Sequence, residues 1–472
     1  AEQFSSTQER ISRPGDVDAL LSRWTAEQGK DDLEALLQHE GVPATAMRTP
    51  AEMLRSPQLR FRGAIRPVET EPGTVVGTVR PLHAGAFRRP SGDRPPRRRS
   101  IAGLKIYELS HVLAVPLAGA LLGAMGAAVT KLEDPARLDM YRRRGPYIDD
   151  VPSPERTAYF AMVNHSKSSA LVDLNRPEQV AAALHDADVV LENLGTRTSQ
   201  RFEVDADSLA GARPDCLSLS SSGFGHRGPM AEYRAYAYNL QSTYGLTYLT
   251  RSTDGRPARM DHAWADLISG YAMATVVAAW AVGPGGNPGT AFDFAMGELI
   301  ASRFNEFLAA ASADPDSDQK VDRANETFPA APNGVYPTAE GWLAVSVGTD
   351  EEFDRLRQAL GDPPALSSAG FSTADGRWTD RDALDRAVAM SLPRRAAMDL
   401  AGDLRQAGVR AEAACTPVDL IGDPHLAERG FFVTVDHPEY GSKRLAGLPW
   451  RRAGGEAWPL RPPPLLGGGS PA

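Results

Sequence analysis

Residues 103–133 read Gly103-Leu-Lys-Ile-Tyr-Glu-Leu-Ser-His-Val-Leu-Ala-Val-Pro116-Leu-Ala-Gly-Ala-Leu-Leu-Gly-Ala-Met-Gly126-Ala-Ala-Val-Thr-Lys-Leu-Glu133. Within them, residues 104–109 form a short apolar run suited to a buried strand, 116–126 a helix of small residues, and 128–132 a second strand. The rhythm continues: 169–174 predicts a strand, 177–185 a helix with Pro in its first turn, and 187–192 and 216–220 two further strands. Such alternation predicts an α/β fold, a Rossmann-like large domain with a parallel sheet wrapped by helices. From about Asn333 the texture changes. Residues 334–336 and 342–347 read as strands and 350–360 as an acidic helix, so a smaller α+β domain is expected there.

Residues 41–63 recur without a gap at 408–430, an offset of 408 − 41 = 367 positions. Gly41-Val42, Ala44, Ala46, Thr49-Pro50, Pro57, Leu59 and Arg62-Gly63 return as Gly408-Val409, Ala411, Ala413, Thr416-Pro417, Pro424, Leu426 and Arg429-Gly430. A solenoid period would be a few tens of residues. The chain therefore reads as the tail of one domain copy followed by a complete second copy, and Ala1 in place of Met fits a start inside a domain. Residues 81–100, rich in Pro, Arg, Ser and Gly, mark the seam.

A net charge of −9 on 472 residues argues against a general nucleic-acid or anionic-membrane surface. The basic run Arg94 to Arg99 reads as a solvated linker. Two cysteines cannot build a disulfide framework, no uninterrupted apolar stretch long enough for a bilayer stands out, and no signal-peptide pattern opens the chain. These features predict a soluble, cytoplasmic protein. No His-x-x-x-His pair or Cys/His cluster has metal-ligand spacing, so no metal is expected. Gly223-Phe-Gly225-His-Arg-Gly228 has the spelling of a dinucleotide loop, but Pro229 follows and no helical period begins, which favours a Gly-rich turn. Gly119, Gly123 and Gly126 at helical spacings point to close helix packing.

The carboxylate that stands out is Asp266, in Asp261-His262-Ala-Trp264-Ala-Asp266-Leu-Ile-Ser269-Gly270, ahead of an apolar helix expected from Leu267 through Trp280. One reading is a helix cap. The other is a reactive carboxylate beside an apolar wall, with room for a ligand made by Ala265 and Gly270, acting as nucleophile or base.

From Gly103 onward the chain resembles the class III coenzyme A transferases (CaiB/BaiF type), the family of formyl-CoA transferase and α-methylacyl-CoA racemase. The resemblance rests on the segment from Gly103 to Pro116, Gly126 to Glu133, Asn164-His-Ser-Lys167-Ser-Ser169, Asp188-Val-Val-Leu-Glu192-Asn193, Ser222-Gly223-Phe224-Gly225 with Gly228-Pro229, Asn333-Gly-Val-Tyr336 with Trp342, and Pro463-Pro-Leu-Leu-Gly467. It implies residues 1–95 as the tail of a first copy, 96–102 as linker, 103–300 as the large CoA-binding domain, 325–410 as the small α+β domain and 411–472 as a return segment. It implies CoA as substrate, an acyl-CoA and a small carboxylic acid as partners, and interlocked-dimer architecture, met either by a homodimer or by the missing first half of a tandem chain. It also implies Asp266 as the catalytic nucleophile, with His111, Val112, Leu113 and Ala114 near the thioester, Lys167, Asn193 and Arg201 along the nucleotide, and Tyr236 as a further CoA-site residue.

Departures narrow the expectation. Tyr236-Ala237 replaces the His-Asp pair of the racemases, so racemisation lacks its acid/base histidine. Asp134 and Ser168 stand where relatives often carry Arg, which weakens expected phosphate binding. Leu113 makes the acyl pocket more apolar, and no long Gly-rich lid lies between Asn325 and Asn333, so an oxalate-like substrate is not expected. Three readings follow: a CoA transferase working through anhydride and aspartyl-CoA thioester intermediates, an acyl-CoA isomerase or lyase using Asp266 as base, and a non-catalytic half of a larger tandem enzyme.

Overall fold

The computed structural model describes residues 4–69, 74–78, 82–84, 100–213, 215–283, 289–314, 316 and 325–469. The basic run at 94–99 and most of the expected linker at 96–102 lie outside the described residues. The chain divides into two compact units, one of Ala1–Leu249, Arg259–Gln319 and Gly430–Ala472, the other of Thr250–Ala258 and Lys320–Arg429.

The larger unit is built on a sheet of, among the described residues, seven strands: β1 (Leu82–Ala84), β2 (Lys105–Leu109), β3 (Ala128–Glu133), β4 (Ser168–Leu171), β5 (Val189–Glu192), β6 (Leu217–Ser222) and β7 (Thr290–Ala295). Their order is β1-β7-β6-β5-β2-β3-β4, all parallel except β1 against β7. Ile106 pairs with Val129 on one side and Val189 on the other. The sheet is thus wound outward in both directions from β2, and the crevice between the carboxyl ends of β2 and β5 is where such sheets hold ligands. Both faces are covered, so β5 is buried throughout. The α/β expectation is met, with strand ends shifted by one to three residues.

Helix α1 (Ala114–Ala124) follows β2, and every residue in it except Leu117 is buried. It starts two residues before the helix expected at 116, because Pro116 fits the first turn, where no N–H is needed. Its glycines clear room for neighbours: a Cβ on Gly119 would overlap the Glu108 carboxylate, and one on Gly123 the Ser166 carbonyl. Helix α2 (Ala237–Thr243) and helix α3 (Trp264–Val282) complete the site's frame. By length and composition α3 could cross a membrane, contrary to the expectation from the sequence. One face of it packs into the core, burying Ala265, Ser269, Gly270, Met273, Ala274 and Val277.

The smaller unit carries the antiparallel sheet β8 (Asn333–Pro337), β9 (Trp342–Ser346) and β10 (Arg410–Ala413) in that order. Leu343, Val345, Phe353, Leu356, Leu400 and Leu404 form its core with the helices that cover the sheet.

The repeated segments have the same local structure. Gly41 and Gly408 share the left-handed conformation (φ 75° and 78°), as do Gly63 and Gly430 (62° and 58°). Thr49 and Glu52 form a capping box on helix Pro50–Met53, and Thr416 and Asp419 form one on Pro417–Gly422. Burial separates them: Met53 is 2% exposed, whereas the corresponding Leu420 is 42% exposed and Ile421 beside it 44%. The first segment docks on the turn after β6. Gln58 donates to the carbonyls of Phe224 (2.7 Å) and Arg227 (2.8 Å), and Arg62 pairs with Asp293 and Glu298. A Cβ on Gly225 would strike the Arg62 guanidinium and one on Gly228 would lie 2.5 Å from Gln58 Oε1. The glycines of that turn make room for protein.

Candidate functional site

Chain topology brings three segments to the carboxyl end of β2. The loop from Ser110 to Leu113 leaves β2 and enters α1. Asn193, just past β5, grips it with both ends of its amide: Oδ1 accepts from the His111 N–H (3.0 Å) and Nδ2 donates to the His111 carbonyl (2.8 Å). Val112 is held at φ 68°, a conformation a β-branched residue adopts only under constraint. The constraint is Asp139, whose Oδ1 accepts from the N–H groups of Val112 (3.0 Å) and Tyr141 (3.0 Å). Burial pushes the Asp139 carboxyl up, but Lys131, fully enclosed with Nζ 3.2 Å from Asp139 Oδ2, holds it below the usual carboxylate range.

The start of α1 is open. Leu113 precedes it without a side-chain cap, and among the described residues the N–H groups of Leu113, Ala114 and Val115 meet no acceptor. Such an end carries partial positive charge and free donors.

Asp266 comes from α3, which lies tightly against α1. A Cβ on Gly270 would sit 2.9 Å from the Ala114 carbonyl oxygen and 2.8 Å from Leu117 Cδ2. Residues four apart share a helix face, so Asp266, one turn before Gly270, lies on the face turned toward the start of α1. The structure corrects two expectations here. The helix begins at Trp264, so Asp266 is inside its first turn and does not cap it. Buried Gln241 of α2 takes that part, its Oε1 accepting from the Trp264 N–H at 3.0 Å. The space at Gly270 is filled by Leu117 and Ala114, so it leaves no room for a ligand.

No cation pairs with Asp266 among the described residues. Burial raises its carboxyl to about 6, its own backbone N–H pulling weakly the other way. The Tyr141 hydroxyl is pushed up to about 12, first by burial and then by the Asp266 charge, which places the two groups in one electrostatic neighbourhood. The Tyr141 ring stacks on Tyr159 with centroids 5.1 Å apart. A weakly solvated carboxylate facing free helix-end amides can act as a nucleophile toward a carbonyl or as a base.

The other expected site residues are not all brought together. Lys167 is corrected: it is wholly enclosed, donating to Glu108 Oε1 (2.7 Å) and Asn164 Oδ1 (2.9 Å), so its ammonium serves the interior and no nucleotide can reach it. Arg201 is exposed and donates to Asn175 Oδ1 at 3.1 Å. Tyr236 is 60% exposed at the start of α2, where its backbone N–H bonds Asn239. Two larger hollows lie elsewhere, one of about 310 Å³ beside Arg62, His226 and Asp293, the other of about 920 Å³ on the smaller unit's sheet; neither includes Asp266.

The sequence profile of CoA-transferase family III matches this chain at residues 1–98 and again at 101–470. The chain belongs to CoA-transferase family III. A succinate–glutarate CoA-transferase of Agrobacterium fabrum is 28% identical over 355 residues, covering 73% of this chain and 87% of that protein. A probable CoA-transferase of Mycobacterium tuberculosis is 26% identical over 473 residues, 91% of this chain but 57% of its own length. In three dimensions the chain is similar to a CaiB/BaiF family protein from Brucella suis, with a TM-score of 0.66 and 27% identity over 79% of this chain and 97% of that one.

Within this family III chain, sequence reasoning missed Gln241, Asp139, Lys131 and Tyr141. Gln241 meets α3 only through the fold and carries no local signal. Asp139 could have been flagged as the residue before a short helix, a position where Asp commonly caps.

Proposed function

We propose that this family III enzyme transfers CoA from an acyl-CoA to a carboxylic acid through Asp266. The observation that carries the reading is the Asp266 carboxyl, half-buried and without a cation among the described residues, beside the uncapped start of α1. In the proposed sequence a carboxylate oxygen of Asp266 attacks the thioester carbonyl, the C–S bond breaks, and CoA leaves as thiolate from a mixed anhydride. The thiolate attacks the Asp266 carbonyl carbon, releasing the donor acid and leaving an aspartyl-CoA thioester. The acceptor carboxylate attacks that thioester carbonyl, the C–S bond breaks to give a second mixed anhydride and free thiolate, and the thiolate then attacks the acceptor's acyl carbon, whose bond to the Asp266 oxygen breaks to restore the carboxylate. The N–H groups of Ala114 and Val115 are the donors for the oxyanion formed at each addition. Buried Leu113 and the ring of Tyr141, stacked on Tyr159, limit the water that would hydrolyse an anhydride.

The relatives' names point to dicarboxylic acids, among them glutarate and mesaconate. Arg144, whose charge reaches the Tyr141 hydroxyl, supports the same class here. The exposed second copy of the repeated segment supports pairing with another large domain of this family, in the interlocked manner or within a longer tandem protein. Sedimentation of the chain across a range of concentrations tests that pairing. The absence of a disulfide between Cys216 and Cys415 supports a cytoplasmic setting.

Incubation with glutaryl-CoA followed by mass spectrometry of the peptide carrying residue 266 tests the mechanism. A CoA adduct on Asp266, absent in Asp266→Ala, is expected. Exchange of the acyl α-proton with solvent and no adduct would instead make Asp266 a base in isomerase or lyase chemistry.

A further inference from the structure

Resting on the transferase reading of the crevice, we infer that His226 is a positioning residue: as a doubly protonated imidazolium it ties Asp293 on β7 to the end of β5, and so holds Asn193 in its grip on the loop that enters α1.

Both ring nitrogens of His226 face acceptors. Nδ1 lies 3.2 Å from Asp293 Oδ1, and Nε2 lies 3.3 Å from the Leu194 carbonyl oxygen. Arg62 donates to the other oxygen of Asp293 and holds that carboxyl below the usual range, so Asp293 only accepts. A neutral imidazole has one ring proton and would turn a lone pair on one of these two oxygens. The imidazolium satisfies both. Glu192, the last residue of β5, stands with Oε1 3.8 Å from Nε2. Burial pushes its carboxyl up to about 7, and once ionised it favours the ring's second proton. Burial works against the charge on His226, but the Asp293 bond and the Glu192 charge outweigh it, so the ring keeps that proton above the ordinary histidine value. The other charged groups on the wall of the hollow of about 310 Å³ beside the ring are Asp205, which caps the helix Ala206–Ala212, and the exposed pair Asp207 and Arg227. Glu298 lies beyond, on Arg62.

Glu192 and Leu194 flank Asn193. Glu192 Oε2 accepts from the Leu194 N–H at 2.6 Å, while the His226 ring holds the Leu194 carbonyl. Leu194 is thus fixed at both ends of its own backbone, and Asn193 beside it clasps both backbone groups of His111. His111 stands two residues ahead of Leu113, where α1 opens. The route runs from Arg62 in the first repeated segment through Asp293, His226, Leu194 and Asn193 to the donors beside Asp266. Loss of the second ring proton removes one support of Leu194 and loosens the loop that sets those donors.

Nitrogen-15 NMR of the histidine-labelled chain, with His226→Gln to assign the signal, should find both His226 ring nitrogens protonated at pH 7. One bare nitrogen there would overturn the inference, whatever the variants do. Single-turnover mass spectrometry of the Asp266 adduct with glutaryl-CoA at pH 7 and pH 9 reads the consequence. Displacing a reacting group by about 1 Å costs about a hundredfold in rate, so wild-type adduct formation should fall at least about tenfold as the ring loses its proton. His226→Gln can donate to only one of the two oxygens; it should be about tenfold slower at pH 7 and lose nothing more at pH 9. Because His226 acts through Asn193, adding His226→Gln to Asn193→Ala should slow the reaction no further, and multiplied losses would sink the route through Asn193. A His226→Gln chain as fast as wild type, or wild-type rates equal at both pH values, would also defeat the inference while leaving the transferase reading intact. No adduct on the wild type at either pH would defeat the transferase reading instead, with the NMR still deciding the state of the ring.

Discussion

Gly270 of α3 lies so close to Ala114 of α1 that a single added carbon would stand 2.9 Å from the Ala114 carbonyl oxygen. This contact fixes where the Asp266 carboxylate stands relative to the donors at the start of α1. Replacing Gly270 with Ala should force the helices apart, at about 1–3 kcal/mol. Because small displacements of reacting groups are severe in their effect on rate, adduct formation on Asp266 should fall more than tenfold. Urea unfolding and single-turnover mass spectrometry read the two effects, and an unaltered rate would remove Gly270 from the positioning of Asp266.

The Asp266 carboxyl, raised to about 6 by burial, predicts a definite pH behaviour. The unfolded chain binds this proton with a pKa of about 3.9. A folded value above the unfolded one means that the ionised group destabilises the fold above pH 6, and that the penalty vanishes as pH falls toward 4. Asp266→Asn should therefore melt above the wild type at pH 8 and level with it near pH 4, while transferring no CoA. Wild-type turnover should decline as pH drops through about 6. Equal melting temperatures at pH 8 would contradict the poorly solvated carboxylate without a cation.

Lys167→Ala should injure stability, with CoA affinity unchanged. Glu108 would lose its 2.7 Å partner in a fully enclosed site, a change that costs about 3–5 kcal/mol for a buried pair. Denaturant unfolding and CoA titration of the folded variant separate the two properties. A large loss of affinity with native stability would return Lys167 to the nucleotide.

Arg62→Ala removes the cation that Asp293 and Glu298 share, leaving Asp293 only its contact with His226. A destabilisation of about 3–5 kcal/mol is expected. Because Arg62 is only 7% exposed, 1 M salt should leave the wild-type pair largely intact, unlike a surface pair. Thermal unfolding at low and high salt checks both statements.

The alternating periods of residues 104–133 were enough to read the sheet, since a strand needs only local apolar runs and a helix only its spacing. Asp266 stood out as a carboxylate ahead of the apolar helix, but its place inside the first turn was not legible, because the cap comes from Gln241 of another helix. Lys167 was not legible either. A lysine beside a presumed nucleotide looks like a phosphate ligand until Glu108, far away in sequence, is seen to enclose its charge. The glycines at 223–228 suggested a turn, but the reason for Gly225 and Gly228 is Arg62 and Gln58, more than a hundred and fifty positions earlier. Gln241 and the Asp139–Lys131 pair were hidden for the same cause: each acts on a segment that only folding brings near.

The first repeated segment reaches its seat on the turn after β6 as part of the same chain. Its effective concentration there is set by the tether and is independent of how many molecules share the solution. Dilution that would strip a separately supplied segment from such a seat leaves this one in place. The Gln58 and Arg62 contacts therefore persist at protein levels where an assembly of separate chains would come apart.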